Sequence, residues 1–282
     1  MSNRNSQANK QAARERMREE RARQAKKDKI RKQLLVAVSI VGVLAIAGGV
    51  GVAVTQLGKE NNPDKEWKTA AKKKPFAKPA NSSGAKGTTV VIGKKDAKNT
   101  LEVFEDLRCP VCATFEQNTG EMVTKDMKAG KYKLQFTMGA FLDEADQIRG
   151  AGSKNALSAL GAALNVSPDA FLEYKTALYS LKNHPDERED EFAKDAKLLE
   201  VAQEVKELKG NKAFEKAVEK GTYDRWALAM KDRFKATEDV TGTPAFKLNG
   251  TVMVVEGAQE GTPITTPEQF TAAYDKALNA KK

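Results

Sequence analysis

Cysteine and histidine are almost absent from this chain. Two cysteines, Cys109 and Cys112, and a single histidine, His184, stand in 282 residues. A closed structural zinc site takes about four ligands, mostly Cys or His. With no second Cys/His pair, such a site would need two copies of the chain, and no metal or other cofactor is expected. His184 precedes Pro185 in a stretch that reads as an interhelical loop, the place of a surface or capping residue rather than a catalyst. There is no third cysteine either. Any redox chemistry therefore passes through one pair and needs another protein to restore it.

A basic globular surface is also missing, although the net charge is +10. Residues 1–33 carry 12 Lys/Arg against 4 Asp/Glu, and residues 58–88 carry 8 Lys against 3 acids, which leaves residues 89–282 at −3. The folded part thus offers no evident phosphate-binding face, and nucleic acid is not an expected partner.

What the N-terminal region does contain is an uncharged apolar run, Leu34 to Val54. About 20 such residues in a helix cross the ~30 Å hydrocarbon layer, and residues 34–57 read as a transmembrane helix. The basic tail at 1–33 stays on the cytoplasmic side and contacts anionic headgroups, which puts the rest of the chain outside the cell membrane. A cleaved signal peptide usually has a shorter charged region and an apolar core of about 7–15 residues. Here the small-x-small triplet Ala45-Ile46-Ala47 lies inside the apolar run, which favours an uncleaved anchor. Residues 58–88, rich in Lys, Pro, Asn, Ser, Gly and Ala, read as a flexible tether with a reach of roughly 30 Å.

The outer part starts with strand-like Thr89–Ile92, a turn, and a buried strand at Leu101–Phe104. Helical spacing then runs from Cys112 through Phe115, Met122 and Met127 to Gly130, and Tyr132–Met138 alternates as a strand. This is a β–α–β unit. Residues 144–236 are patterned as helices throughout. One starts at Ser167-Pro168, with Ser167 as cap, and buries Phe171, Leu172, Ala177, Leu178 and Leu181. Strands at Ala245–Leu248 and Thr251–Val255 flank the turn pair Asn249-Gly250. Thr266-Pro267-Glu268-Gln269 is a capping box for a last helix.

The cysteines stand in Phe104-Glu105-Asp106-Leu107-Arg108-Cys109-Pro110-Val111-Cys112, between a strand and a helix. There the first sulfur is exposed at a helix N-terminus and the second lies within disulfide reach. A three-residue spacing closes too small a loop to restrict the unfolded chain much. That argues against a tethered binding module with the pair as a mere clip. Together with Thr241-Gly242-Thr243-Pro244-Ala245-Phe246 before the hairpin, the motif and element order resemble the thioredoxin fold. The helical insertion is similar to that of the DsbA-like thiol–disulfide oxidoreductases. The fold class expected is therefore α/β, with residues 89–143 and 237–282 forming a thioredoxin-like domain and 144–236 a helical insertion, preceded by one transmembrane helix. The anchor resembles the form these proteins take in Gram-positive bacteria.

The resemblance implies a cis Thr243–Pro244 bond packed against Cys109, with the Thr243 backbone pairing with an extended substrate. It implies an extracytoplasmic enzyme that introduces disulfides into unfolded, cysteine-containing exported proteins, with Cys109 as attacking sulfur and Cys112 as its more buried partner. A membrane quinone-linked oxidase, similar to DsbB or vitamin K epoxide reductase, would reoxidise it. Pro110 and Val111 fill the space between the cysteines. The best-known DsbA has histidine where Val111 stands, so one source of thiolate stabilisation is missing, and reductase or isomerase work on the same fold is the alternative. Arg108 adds positive potential or is a solvated surface residue. Glu102, Glu105 and Asp106 are candidates for the buried acid that thioredoxin keeps before its motif.

Overall fold

The computed structural model describes residues 62–259 and 261–280. The expected basic tail and transmembrane segment lie outside the described residues. Among those described, no helix is long and apolar enough to cross a membrane.

In chain order the elements are α1 (Pro63–Lys72), β1 (Val90–Ile92), β2 (Asn99–Asp106), α2 (Pro110–Phe115), a π-helical turn (Glu116–Gly120), α3 (Glu121–Ala129) and β3 (Tyr132–Gly139). The insertion holds α4 (Gly152–Val166), α5 (Pro168–Tyr179), α6 (Asp195–Ala202), α7 (Lys212–Glu219) and α8 (Asp224–Lys235). The chain closes with β4 (Ala245–Leu248), β5 (Thr251–Val252) and α9 (Pro267–Asn279).

The sheet order is β1-β3-β2-β4-β5. β2 pairs parallel with β3 over its whole length and antiparallel with β4, so it lies at the centre. Its last four residues, Val103 to Asp106, are all buried. A parallel pair needs a crossover on one face of the sheet, and α2 to α3 supplies it. This crossover is not a uniform helix. It widens to a π-turn at Glu116–Gly120, where the Glu116 carboxylate folds over Gly120. A Cβ on Gly120 would lie 2.6 Å from that carboxyl carbon.

The insertion is organised around α4, whose Ala- and Leu-rich sequence is buried almost end to end. The Trp226 ring of α8 lies against Gly161, where an added Cβ would meet it at 2.7 Å. The helical pattern is interrupted after Tyr179. Ser180 is extended, and Leu181, expected on the buried stripe of α5, is 87% exposed. The core-facing position that continues the stripe from Phe171 is instead Lys175, which is buried.

The hairpin turns at Asn249 and Gly250, both at positive φ. Its second strand is shorter than expected: ladder pairing stops at Val252, with one further bond from Met253 N to Phe246 O at 2.9 Å. The partner strand starts just after Pro244, which has no N–H to extend the ladder.

The largest departure from expectation is residues 62–88. They are packed on the domain, not a free tether. Asn62 and Pro63 start α1, and the inward stripe is Asp64, Trp67, Lys68 and Ala71, at i, i+3, i+4 and i+7. This stripe escaped hydrophobic periodicity because it is mostly polar. Its charges are used in pairs: Asp64 with Lys154 at 2.7 Å, Lys68 with Glu144 at 2.6 Å. Farther along, Asn81 Nδ2 donates to Leu164 O at 2.8 Å, and Trp226 Nε1 donates to Gly87 O at 2.7 Å.

Gly161→Ala places a methyl against the Trp226 ring, and overpacking of this kind costs about 1–3 kcal/mol. Thermal and urea unfolding should show that loss. Unchanged stability would contradict the close packing of α4 on α8.

Candidate dithiol site

β2 delivers the chain to the site. At its end Cys109 N–H donates to Asp106 O at 2.9 Å, closing a turn, and Cys109 becomes the N-cap of α2 with extended backbone (φ −72, ψ 117). Pro110 follows at the first helical position, where a missing N–H costs nothing. Both cysteines are free thiols. Cys112 is fully buried, and Cys109, expected to be exposed, is only 4% exposed. The cover comes from the loop before β4. Thr243 and Pro244 are joined by a cis peptide bond, and the Cys109 thiol donates to Thr243 O at 3.5 Å. Pro110 is exposed beside the sulfur, Val111 is half-buried and Pro244 is buried.

The two thiols are shifted in opposite directions. Cys109 is lowered, chiefly by the hydrogen bond from Cys112, with help from the Thr243 side chain and the Cys112 backbone N–H; burial opposes this. Cys112 is pushed well above its ordinary value by burial first, then by its bond to Cys109 and the negative potential of Cys109 and Glu105.

Arg108 is neither solvated nor directed at the sulfur. It is 1% exposed, and its guanidinium donates to Asp143 Oδ1 at 2.9 Å, Ile148 O at 2.9 Å and Glu187 O at 2.7 Å. Asp106 is a loop anchor: its carboxylate accepts from Arg108 N, Leu142 N and Ser153 Oγ. Glu102 is half-buried and takes a bond from Gln135. Of the three candidate acids, Glu105 is the one whose charge acts on Cys112.

Glu105 belongs to a cluster that sequence reasoning missed. Lys175 lies 3.3 Å from Glu105 Oε2 and 2.6 Å from Glu116 Oε2, and Thr176 Oγ1 donates to Glu116 Oε1 at 2.6 Å. Burial pushes Glu105 up to about 7, against the pull of Lys175. The available signal was Lys175 itself, a charge on the apolar face of α5. His184 supports the loop from behind and is not a free surface residue. Its ring packs on Tyr179 and Phe192, it bonds the Leu107 backbone, and burial pushes it down to about 4. The Tyr179 hydroxyl in turn donates to Asp106 O at 3.1 Å.

A buried dithiol with one stabilised and one suppressed thiolate, covered by a cis-proline loop on a five-stranded sheet, defines a class: thioredoxin-fold thiol–disulfide oxidoreductases. The family model described as Thioredoxin matches residues 85–276. The chain belongs to that family. The reduced form of the disulfide bond oxidoreductase DsbG from Mycobacterium tuberculosis is 25% identical, with a TM-score of 0.54 over 68% of this chain and 88% of that one. BdbD from Bacillus subtilis, oxidised, is 20% identical with a TM-score of 0.54 over 72% and 100%. Among curated proteins, the serine/threonine-protein kinase PknE of Mycobacterium tuberculosis is 23% identical over 158 residues, 56% of this chain. The match spans only 27% of the kinase's length.

Glu105 gives a pH prediction. Its folded pKa is raised to about 7 from 4.5, so its favourable contribution is full below about pH 4.5 and is lost as pH rises to about 7. Relative to Glu105→Gln, the wild type should therefore lose stability over that window, by on the order of a few kcal/mol. Urea unfolding of both proteins from pH 4 to 8 checks this. A difference that stays constant with pH would contradict it.

Proposed function

We propose that the chain is a membrane-anchored, extracytoplasmic thiol oxidase that introduces disulfides into exported proteins. The observation that carries the reading is the opposed shift of the two thiols. A stabilised Cys109 thiolate favours the reduced enzyme, and an enzyme that favours its own reduced form draws electrons from its substrates.

In the oxidised enzyme a substrate thiolate attacks Cys109 Sγ. The Cys109–Cys112 bond breaks, and Cys112 leaves with the electron pair and takes a proton, since its high pKa disfavours the thiolate. The neighbouring Glu105 carboxyl, holding its proton to about pH 7, is a source for that proton. A second substrate thiolate then attacks the substrate sulfur of the mixed disulfide, and Cys109 leaves as a thiolate. The substrate loses two electrons and two protons; the enzyme gains both electrons and one proton, on Cys112, and the second proton goes to solvent while Cys109 remains a thiolate. Thr243, whose carbonyl meets Cys109, is positioned to pair its backbone with an extended substrate. Pro110 and Val111 border the attacked sulfur. Val111 offers no hydrogen to Cys109, so the enzyme should be a weaker oxidant than one with histidine there.

Residues 34–57 act as the anchor in this reading, with residues 1–33 cytoplasmic, and a membrane quinone-linked thiol oxidase restores the disulfide. The low cysteine count supports the need for an outside oxidant, because the chain has no second cysteine pair to take up the electrons as a disulfide.

Catalysed oxidative refolding of a reduced, disulfide-containing protein tests the function. The wild type should accelerate it, Cys109→Ser should abolish the effect, and Cys112→Ser should accumulate the mixed disulfide. Equal rates with wild type and Cys109→Ser would exclude a thiol mechanism. Catalysis of reduction alone would assign a reductase.

A further inference from the structure

The packing of residues 62–88 shortens the connection between the domain and the apolar run. Only seven residues, Thr55 to Asn61, separate Val54 from the start of the described domain. Fully extended, such a connection spans no more than roughly 28 Å. The surface beside α1 therefore lies within reach of the bilayer whenever residues 34–57 are inserted in it.

That surface has a suitable character. Residues Lys72 to Lys78 contain four lysines and no acid. Lys74 is engaged with Asp224 at 2.6 Å, but Lys72, Lys73 and Lys78 are exposed. Between them stands Phe76, one of the few large apolar side chains exposed among the described residues, at 36%. The exposed Arg225 of α8 stacks over its ring at 5.5 Å and donates to Lys74 O at 3.3 Å. Three exposed lysines thus flank Phe76 in sequence and an arginine stacks over its ring, a composition that fits an interface of anionic headgroups and acyl chains.

We infer that Lys72, Lys73, Phe76, Lys78 and Arg225 form a second membrane contact, with the lysines and Arg225 on anionic phospholipid headgroups and Phe76 at the interface. The partner is the bilayer that holds the chain's own apolar segment. This rests on the anchor reading above and goes beyond it. A domain held at two places cannot pivot freely, and its dithiol keeps a set orientation to the membrane.

The test uses the full chain in vesicles of phosphatidylcholine, with or without phosphatidylglycerol, made with brominated acyl chains. Phe76→Trp adds a reporter, read against the parent protein's Trp67 and Trp226 background. The added fluorescence should be quenched at least ~2-fold more in anionic vesicles, and charge reversal (Lys72→Glu, Lys73→Glu, Lys78→Glu) or high salt should remove the difference. Flotation with the vesicles is measured in parallel. A chain that does not float refutes the anchor, and the inference with it. A chain that floats with no quenching, or with equal quenching in both lipids, overturns the headgroup contact and leaves the anchor standing.

Discussion

Asp143 holds two buried cations at once, and the rest of the site is built around it. Its carboxylate accepts from Arg108 Nη1 at 2.9 Å, Ser153 N at 3.0 Å and Lys154 N at 2.9 Å, and from the Lys154 ammonium. Arg108 brings the cysteine loop to this point. Ser153 and Lys154 bring the first turn of α4. Lys154 also pairs with Asp64, which brings α1. Two segments distant in sequence, at residues 108 and 154, thus meet on one carboxylate, and a third, at residue 64, joins them through Lys154. Removing one member of such a buried set strands the others, at a cost of about 3–5 kcal/mol. The interaction is therefore more a constraint on geometry than a source of net stability.

The consequence is a rigid loop beside a tunable pair of sulfurs. The loop's charges are consumed by the insertion, so Arg108 does not set the Cys109 potential by proximity. Control passes to short-range groups: the Cys112 thiol, the Thr243 side chain and a backbone N–H on one side, Glu105 on the other. Glu105 is held in turn by Lys175 and Glu116, from α5 and the π-turn. The insertion therefore supports both the shape of the loop and the electrostatics behind Cys112.

Much of this was legible in the sequence. Strand alternation at Tyr132–Met138, the Ser167 and Thr266 caps, the Asn249-Gly250 turn and the cysteine spacing each rest on local rules; they give the element order, and its resemblance to the thioredoxin fold gave the rest. The cis bond at Thr243–Pro244 was expected from family likeness alone. The missed features share one physical cause. Asp64, Arg108, Asp143, Lys154 and Lys175 are charged residues that are buried because they meet partners far along the chain, and no local pattern reports a distant partner. The same cause made residues 62–88 read as a tether: their polar composition is that of a solvated segment, but Asp64, Lys68 and Lys74 are matched on the domain.

Oxidase chemistry at this site depends on two unlike thiols, with Cys109 ionised readily and Cys112 held protonated. Site-resolved alkylation of the reduced protein across pH, read by mass spectrometry, measures this directly. Cys109 should react with a midpoint below the ~8.5 of a free cysteine, while Cys112 stays unreactive well above it. Two sulfurs titrating together near that ordinary value would contradict the account.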